Sequence, residues 1–435
     1  MPPEIATRTS LPLDPTASAR QGLGTMASGL VGSEILKIAA DVRALKRSGK
    51  PVCDLTVGDF SPQQFRIPKA LEEAIASALA AGQTNYPPSD GILELRQAVQ
   101  ALYARALGLD YPIDGVLIAG GARPVIWSVY RAVLDDGERV VYPVPSWNNN
   151  HYAHLCGARG IPVAASADDA FLPTAASLRD KVRGARLLAL TSPLNPAGTG
   201  FRRETLAAIA ELVVVENERR AKEGWKDRPL FLLYDHIYWM LAADDAPHFT
   251  PPGLVPEVAP YTVFVDGISK SLASTGLRVG WAVGPPYVVA RLRDLLGHVG
   301  AWAPRPEQVA TAELLSKPGR AEELAHGLRE GLLARLSALH EGLAAMKKEG
   351  LPITALPPAG ALYLAARFDL VGKLGSNEAI RKVLLEKAGF AIVPFQAFGL
   401  AEDTGWFRLS VGAVGLDEIR QALPRVRAAI REIVG

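Results

Sequence analysis

Val265-Asp266-Gly267-Ile268-Ser269-Lys270-Ser271 ends an apolar run and is followed by Gly276-Leu277-Arg278-Val279-Gly280. Residues 262–265, Thr-Val-Phe-Val, have the β-branched and aromatic character of a buried strand. A small, hydroxyl-bearing turn then carries Lys270, and a guanidinium stands eight residues on, at Arg278. Most lysines that follow a strand are solvated surface residues. One held at the carboxyl end of a buried strand loses hydration, and that lowers its pKa toward nucleophilicity. Lys270 is therefore a candidate for Schiff-base chemistry.

Outward from this stretch the chain alternates strands and helices. Strands are predicted over 116–118, 139–142, 186–190, 230–234, 262–265 and 281–283, with helices over 122–133 and 204–220. Near-continuous apolar strands between amphipathic helices imply a mostly parallel sheet buried on both faces. Ligands in such sheets bind beyond the carboxyl ends of the strands. The polar clusters fall at those ends: Gly120-Gly121-Ala122, Pro145-Ser146-Trp147, Asn195-Pro196, Asp235 and Lys270.

Upstream, the pattern predicts a helix over 33–46 with Ser33 as its N-cap, and a strand over 52–57 ending at Gly58-Asp59-Phe60. Helices over 68–79 and 92–106 flank a loop over 84–91. Beyond about residue 310 the chain turns helix-rich, with helices over 321–348, 378–387 and 416–434 and short strands over 363–365 and 407–411. The expected organisation is a flexible arm over 1–28, a small α+β domain built from 29–66 with 312–435, and a large domain over 67–311.

The net charge of +2 gives no argument for nucleic acid or a membrane surface as partner. Two cysteines, Cys53 and Cys156, make no disulfide framework and point to a reducing compartment. No apolar run approaches the roughly 18 residues of a spanning helix, and the first 28 residues lack the apolar core of a signal peptide. The expectation is a cytoplasmic protein with no membrane partner.

Singly, the clustered residues have plain explanations. Asp235 could cap a helix, Tyr238 could be core, Asn195 could make a turn, and Gly120-Gly121-Ala122 could be a tight connection. Together they supply what pyridoxal 5'-phosphate requires. Lys270 is the amine for its aldehyde. Asp235 is a carboxylate for its ring nitrogen. Asn195 and Tyr238 are donors for its phenolic oxygen, and Trp147 is a plane for its ring. Backbone amides of Gly121, Ala122 and Arg123 at a helix start suit the phosphate, with Arg278 as bidentate partner and Ser269 beside the lysine.

From about Gly32 onward the chain resembles the fold-type I pyridoxal-phosphate enzymes, specifically class I/II aminotransferases of the aspartate aminotransferase kind. The resemblance rests on Asn85-Tyr86 with Asp90-Gly91, Pro145-Ser146-Trp147, Asn195-Pro196-Ala197-Gly198, Asp235-His236-Ile237-Tyr238, Ser269-Lys270 with Arg278, and Phe407-Arg408-Leu409-Ser410. It implies a large domain with a seven-stranded, mostly parallel sheet sandwiched by helices, and a smaller α+β domain. It implies a homodimer in which Tyr86 reaches the cofactor phosphate of the neighbouring subunit. Arg408 would grip the substrate α-carboxylate, with Gly58, Trp147 and Asn195 lining the same pocket. The implied reaction moves an amino group between an L-amino acid and a 2-oxo acid by a ping-pong mechanism, with Lys270 carrying the proton. Aspartate or glutamate with 2-oxoglutarate is the expected pair. The alternatives are another reaction on this scaffold, such as β-elimination or decarboxylation, and a non-catalytic regulatory module.

Two departures from the family pattern stand out. Gly267 takes a position where relatives often carry a hydroxyl, and His236 one where they often carry glutamate. Candidates for reading the substrate side chain are Arg131, Arg305, Trp302 and Tyr363. His151-x-x-His154-x-Cys156 looks like a metal cluster but lacks a clear fourth ligand and common zinc spacing.

Overall fold

The computed structural model describes residues 22–32, 34–225 and 228–435. Ser33, the expected cap, and residues 1–21 of the expected arm lie outside the described residues. The chain divides into two units, one ending at Gly32 and the other running to Gly435. In the first, the described residues form a single-turn helix, Thr25–Ser28.

In the second unit the strands are, in chain order, β1 (Cys53–Asp54), β2 (Val116–Ala119), β3 (Arg139–Val144), β4 (Arg159–Ala164), β5 (Ala185–Thr191), β6 (Phe231–Asp235), β7 (Thr262–Gly267), β8 (Gly280–Val283), β9 (Ile353–Ala355), β10 (Tyr363–Phe368), β11 (Phe390–Ala391), β12 (Val393–Pro394) and β13 (Trp406–Ser410). A seven-stranded sheet has the order β2-β8-β7-β6-β5-β3-β4. Pairing is parallel from β7 through β4, whereas β8 runs antiparallel to both β2 and β7. The sheet is mostly parallel, as the sequence predicts.

Both faces of the sheet's centre are buried because β5, β6 and β7 are apolar along most of their length, so successive side chains serve opposite cores. Leu187, Ala189, Val263 and Val265 pack on one face with the helices Ala122–Val133 and Pro286–His298. Leu188, Leu190 and Phe264 pack on the other with Leu93–Leu107, Ala175–Val182 and Arg203–Lys222. A separate core joins a four-stranded sheet of order β12-β13-β10-β9 to the helices Arg320–Lys348, Asn377–Ala388 and Leu416–Val434. All pairings in this second sheet are antiparallel.

Two readings need correction. The strand expected over 52–57 is only β1, paired in parallel with β11. Beyond Leu55 its carbonyls turn away from a sheet partner toward side chains: Thr56 O accepts from Arg408, Val57 O from Ser410 and Gly58 O from Lys270. Strand β4 went unpredicted because it is an edge strand with a mostly exposed pattern and Pro162 inside it. The strand expected over 281–283 forms as β8, and its antiparallel direction is new from the structure, since an apolar run does not encode which way it points.

Candidate active site

The strand ends converge on a cavity of about 630 Å³. The parallel strands β5, β6 and β7 end there and deliver Thr191, Asp235 and the Ser269–Lys270 turn. Trp147 arrives just past β3, and Arg278 just before the antiparallel β8. Ala122 and Arg123 open the helix that follows β2. The four-stranded sheet supplies Tyr363 and Arg408, and the segment after β1 supplies Gly58 and Asp59.

Lys270 lies in the short helix Ile268–Ser271 directly after β7. Its Nζ donates to Gly58 O at 2.8 Å. It also sits near the rings of Phe60 (5.6 Å) and Tyr238 (5.9 Å). Burial lowers the amine to about 8; the Asp59 carboxylate pulls it back up, and Arg408, Arg123 and Arg278 push it further down. Asp235 is pushed the other way. Burial raises its carboxyl to about 7, opposed by the Ile237 backbone N–H, which donates to Oδ1 at 3.2 Å, and by the charge of Lys270.

Arg278 stands in the left-handed region at φ 57°. From there its guanidinium donates to Thr275 O and Gly120 O, both at 2.9 Å. This places a cation beside Gly121, which precedes the helix Ala122–Val133. Gly121 has φ 96°, and a Cβ there would run into the Arg278 guanidinium. Glycine is thus required at this turn by both backbone and space. The result is an anion cradle of helix-start amides and a guanidinium.

Arg408, on β13, is buried, and burial lowers its pKa. It donates to Thr56 O at 2.7 Å and to Asn195 Oδ1 at 3.2 Å. Its guanidinium lies 4.9 Å from the Tyr363 ring centre and 4.8 Å from that of Phe398. Among the described residues its Nε has no hydrogen-bond partner. A buried donor without a partner is costly, so a ligand acceptor here would relieve the penalty. Tyr363 and Tyr238 join hydroxyl to hydroxyl at 2.8 Å. A Cβ on Gly58 would come within 3.1 Å of the Tyr363 hydroxyl and 3.3 Å of Arg408 Nη1, so a side chain there would fill the space between them.

The cavity therefore gathers Gly58, Ala122, Arg123, Trp147, Asn195, Asp235, Tyr238, Ser269, Lys270, Arg278 and Arg408. Gly121 borders it through Arg278. Tyr86 does not line it: Tyr86 is 80 % exposed and borders a second cavity with Trp302 and Arg305. Arg305 donates to Gln83 Oε1 at 2.8 Å, and the Tyr86 and Trp302 rings meet edge to face at 5.2 Å. Arg131 reaches Cys156 O and Asp136, away from the active-site cavity. Of the four residues considered for the substrate side chain, only Tyr363 lines this chain's site.

His236 points into the core, where its Nε2 lies 2.7 Å from the Tyr103 hydroxyl. His151 and His154 ride on the helix Asn149–Leu155 with Cys156 just beyond it. Among the described residues no group of three or more His, Cys, Asp or Glu side chains is arranged to hold a metal ion. Sequence reasoning missed Asp59, Thr191 and Thr275 as site residues. Asp59 could have been found from its place in the Gly58-Asp59-Phe60 turn; its Oδ1 accepts from Thr275 Oγ1 at 2.7 Å.

The family model "Aminotransferase class I and II" matches residues 50–426. An aspartate aminotransferase of Rhizobium meliloti is 30% identical over 411 residues, covering 92% of this chain and 94% of the relative. A probable aspartate/prephenate aminotransferase of Aquifex aeolicus is 28% identical, over 95% of this chain and all of the relative. Among solved structures, the aspartate aminotransferase of Thermus thermophilus with maleate superposes with a TM-score of 0.83 at 27% identity, covering 94% of this chain and all of that one. The chain belongs to the class I and II aminotransferases and is a pyridoxal-phosphate-dependent transaminase.

Proposed function

We propose that Lys270 is the residue that holds the cofactor and carries the proton, and that the site transfers the amino group of an acidic amino acid. The observation that supports this most is the Lys270 amine itself, lowered to about 8 and facing the cavity that Asp235 shares. An amine with that pKa is available as a base near neutral pH, which proton transfer requires.

The donor set fits pyridoxal phosphate. The phosphate would meet the amides of Gly121, Ala122 and Arg123, the Arg278 guanidinium and Ser269. Asp235 would face the ring nitrogen as an anion, because a cation there favours its ionised form. Trp147 would cover the ring. Asn195 and Tyr238 would donate to the phenolic oxygen; the Asn195 carbonyl oxygen is already taken by Arg408, which leaves the amide nitrogen for this role. Bound in this cradle, the cofactor supplies the electron sink that loosens the substrate's α-hydrogen.

Arg408 would fix the α-carboxylate, with the Gly58 carbonyl and the Tyr363 ring beside it. The substrate's amine would displace Lys270 from the cofactor, and the freed Lys270 amine would take the α-proton and return it one position along. The ordered loss of an oxo acid and entry of a second one gives a ping-pong cycle. For the substrate side chain we propose Arg123. Its guanidinium sits 5.3 Å from the Trp147 ring centre, inside the same cavity. Arg278 and Arg408 would be committed to phosphate and α-carboxylate, so Arg123 is the guanidinium left for a distal carboxylate. That, and relatives named as aspartate aminotransferases, favour aspartate; glutamate and 2-oxoglutarate carry the same kind of distal carboxylate and complete the proposed pair.

We also propose a cytoplasmic homodimer with Tyr86 completing the neighbouring site. Its 80 % exposure beside Trp302 and Arg305 suits a residue covered by a partner copy. Among the described residues no helix is long and apolar enough to cross a membrane. The testing experiment is a half-reaction panel: each standard amino acid is added alone to the holoprotein and the cofactor spectrum followed. Conversion by aspartate and glutamate, weakened selectively by Arg123→Ala, supports the assignment. Equal conversion by neutral amino acids in both proteins removes Arg123 from the role.

A further inference from the structure

The two active-site loops are joined beneath the cavity by a side chain that the mechanism does not use. Asp266 is the next-to-last residue of β7, four before Lys270, and is 1 % exposed. Its Oδ1 accepts from Gly267 N at 2.7 Å, at the start of the lysine turn. Its Oδ2 accepts from Trp239 Nε1 at 2.9 Å. Trp239 follows Asp235 and Tyr238 in the loop after β6. One carboxyl group therefore bonds both segments that deliver the site's central groups.

The surroundings hold this carboxyl group in place without a permanent counter-charge. His236 Nε2 is 4.0 Å from Asp266 Oδ2 and 2.7 Å from the Tyr103 hydroxyl, and His236 Nδ1 is 3.3 Å from His248 Nε2. The His236 ring stacks on Trp239 with planes 22° apart. Burial holds both histidines below their usual range, which favours their neutral forms. A buried carboxyl without a charged partner is expensive. An apolar side chain would serve packing better, so its retention is accounted for by the two hydrogen bonds it supplies.

We propose that Asp266 is a positioning residue that, through Trp239, sets the separation of Asp235 and Tyr238 from Lys270. This rests on the assignment of those residues given above. The Asp235-His236 peptide is already held to β7 by His236 N donating to Val265 O at 3.1 Å, which fixes one end of the loop. The Trp239–Asp266 bond fixes the other. Misplacement of reacting groups by about 1 Å can cost about 100-fold in rate, so a bond that sets such a separation has leverage out of proportion to its own strength.

Trp239→Phe is the main test, because it removes the indole N–H and leaves every charge unchanged; the ring volume lost with it is read separately in the melting temperature. Three quantities are measured on the wild type and the variant: kcat and KM, the midpoint of the pH-dependent absorbance of the bound cofactor, and the melting temperature of the cofactor-free protein. The expected result is a kcat lower by about tenfold with KM within about threefold, and an absorbance midpoint moved by about 0.5 pH unit or more. Asp266→Asn combined with Trp239→Phe is expected to be no slower than the worse single variant, since the two residues act through one bond. A midpoint that stays at the wild-type value overturns the proposal, whatever the melting temperature does. So does a double variant whose loss is the product of the single losses. Failure of the wild type to bind the cofactor at Lys270 would instead overturn the underlying assignment.

Discussion

Lys270 Nζ donates a 2.8 Å hydrogen bond to the carbonyl oxygen of Gly58, 212 residues earlier in the chain. The bond ties the lysine turn of the large sheet to the segment that also engages Arg408 through Thr56 O. The groups proposed to anchor the cofactor and grip the substrate thus share one short stretch of backbone. Capture of the cofactor, as proposed, displaces the amine from Gly58 O, and a neutral acceptor makes that displacement inexpensive.

Removal of Asp235, the carboxylate proposed to face the ring nitrogen, is expected to be severe. Asp235→Ala should lower kcat by about 100- to 1,000-fold, the scale of losing one preorganised electrostatic group. Asp235→Asn should be similarly slow, because an amide keeps the shape but loses the charge. Steady-state kinetics on both variants check this, and a rate within threefold of the wild type would show that the carboxylate is misassigned.

The α-carboxylate grip proposed for Arg408 depends on a planar fork. Arg408→Lys keeps the charge but cannot donate to Asn195 and Thr56 while meeting a carboxylate in parallel. A loss of about 10- to 100-fold in kcat/KM, chiefly through KM, is expected from one or two charge-assisted bonds. The measurement is kcat/KM for the best amino donor across the two proteins.

The pH dependence follows from the lysine. Burial disfavours the ammonium form, so the neutral amine predominates above about 8 rather than above the ordinary 10.5. Capture of pyridoxal phosphate by the cofactor-free protein should therefore quicken as pH rises through about 8. The same shift sets a stability slope. Between about 8 and 10.5 the unfolded chain binds the proton and the folded one does not, so this group's contribution to stability rises with pH across that window. Asp59 raises the lysine pKa, so Asp59→Asn should move the capture midpoint downward. Stopped-flow capture rates against pH distinguish a downward shift from none.

The side-chain assignment makes a differential forecast. Arg123→Ala should reduce kcat/KM for aspartate and glutamate by about 10-fold or more and leave alanine within threefold. Comparison of the two amino acid classes on one preparation separates lost recognition from general damage.

Much of this site was legible because buried strands announce their own ends. Asp235, Asn195 and Lys270 each follow an apolar run, and the parallel arrangement brings those ends together. The Arg408 role came from the resemblance, since a lone arginine on a short strand says nothing about what it faces. Strand β4 was hidden by its edge position, where partial exposure along its length and Pro162 break the apolar signal. Arg131 and Arg305 illustrate the harder limit: helix and loop positions name the residue but not the direction of a long side chain. Asp266 lies four residues before Lys270, yet nothing in the sequence marks its role, because only the fold brings Trp239 onto it.

The most direct test is a single-turnover reaction of the holoprotein with L-aspartate or L-glutamate and no oxo acid. The cofactor should convert to pyridoxamine phosphate with one equivalent of 2-oxo acid released, and 2-oxoglutarate should then reverse the spectrum. Lys270→Ala, folded by circular dichroism, should not convert. Release of ammonia or carbon dioxide without pyridoxamine phosphate, or full conversion by the Lys270→Ala protein, would contradict the assignment.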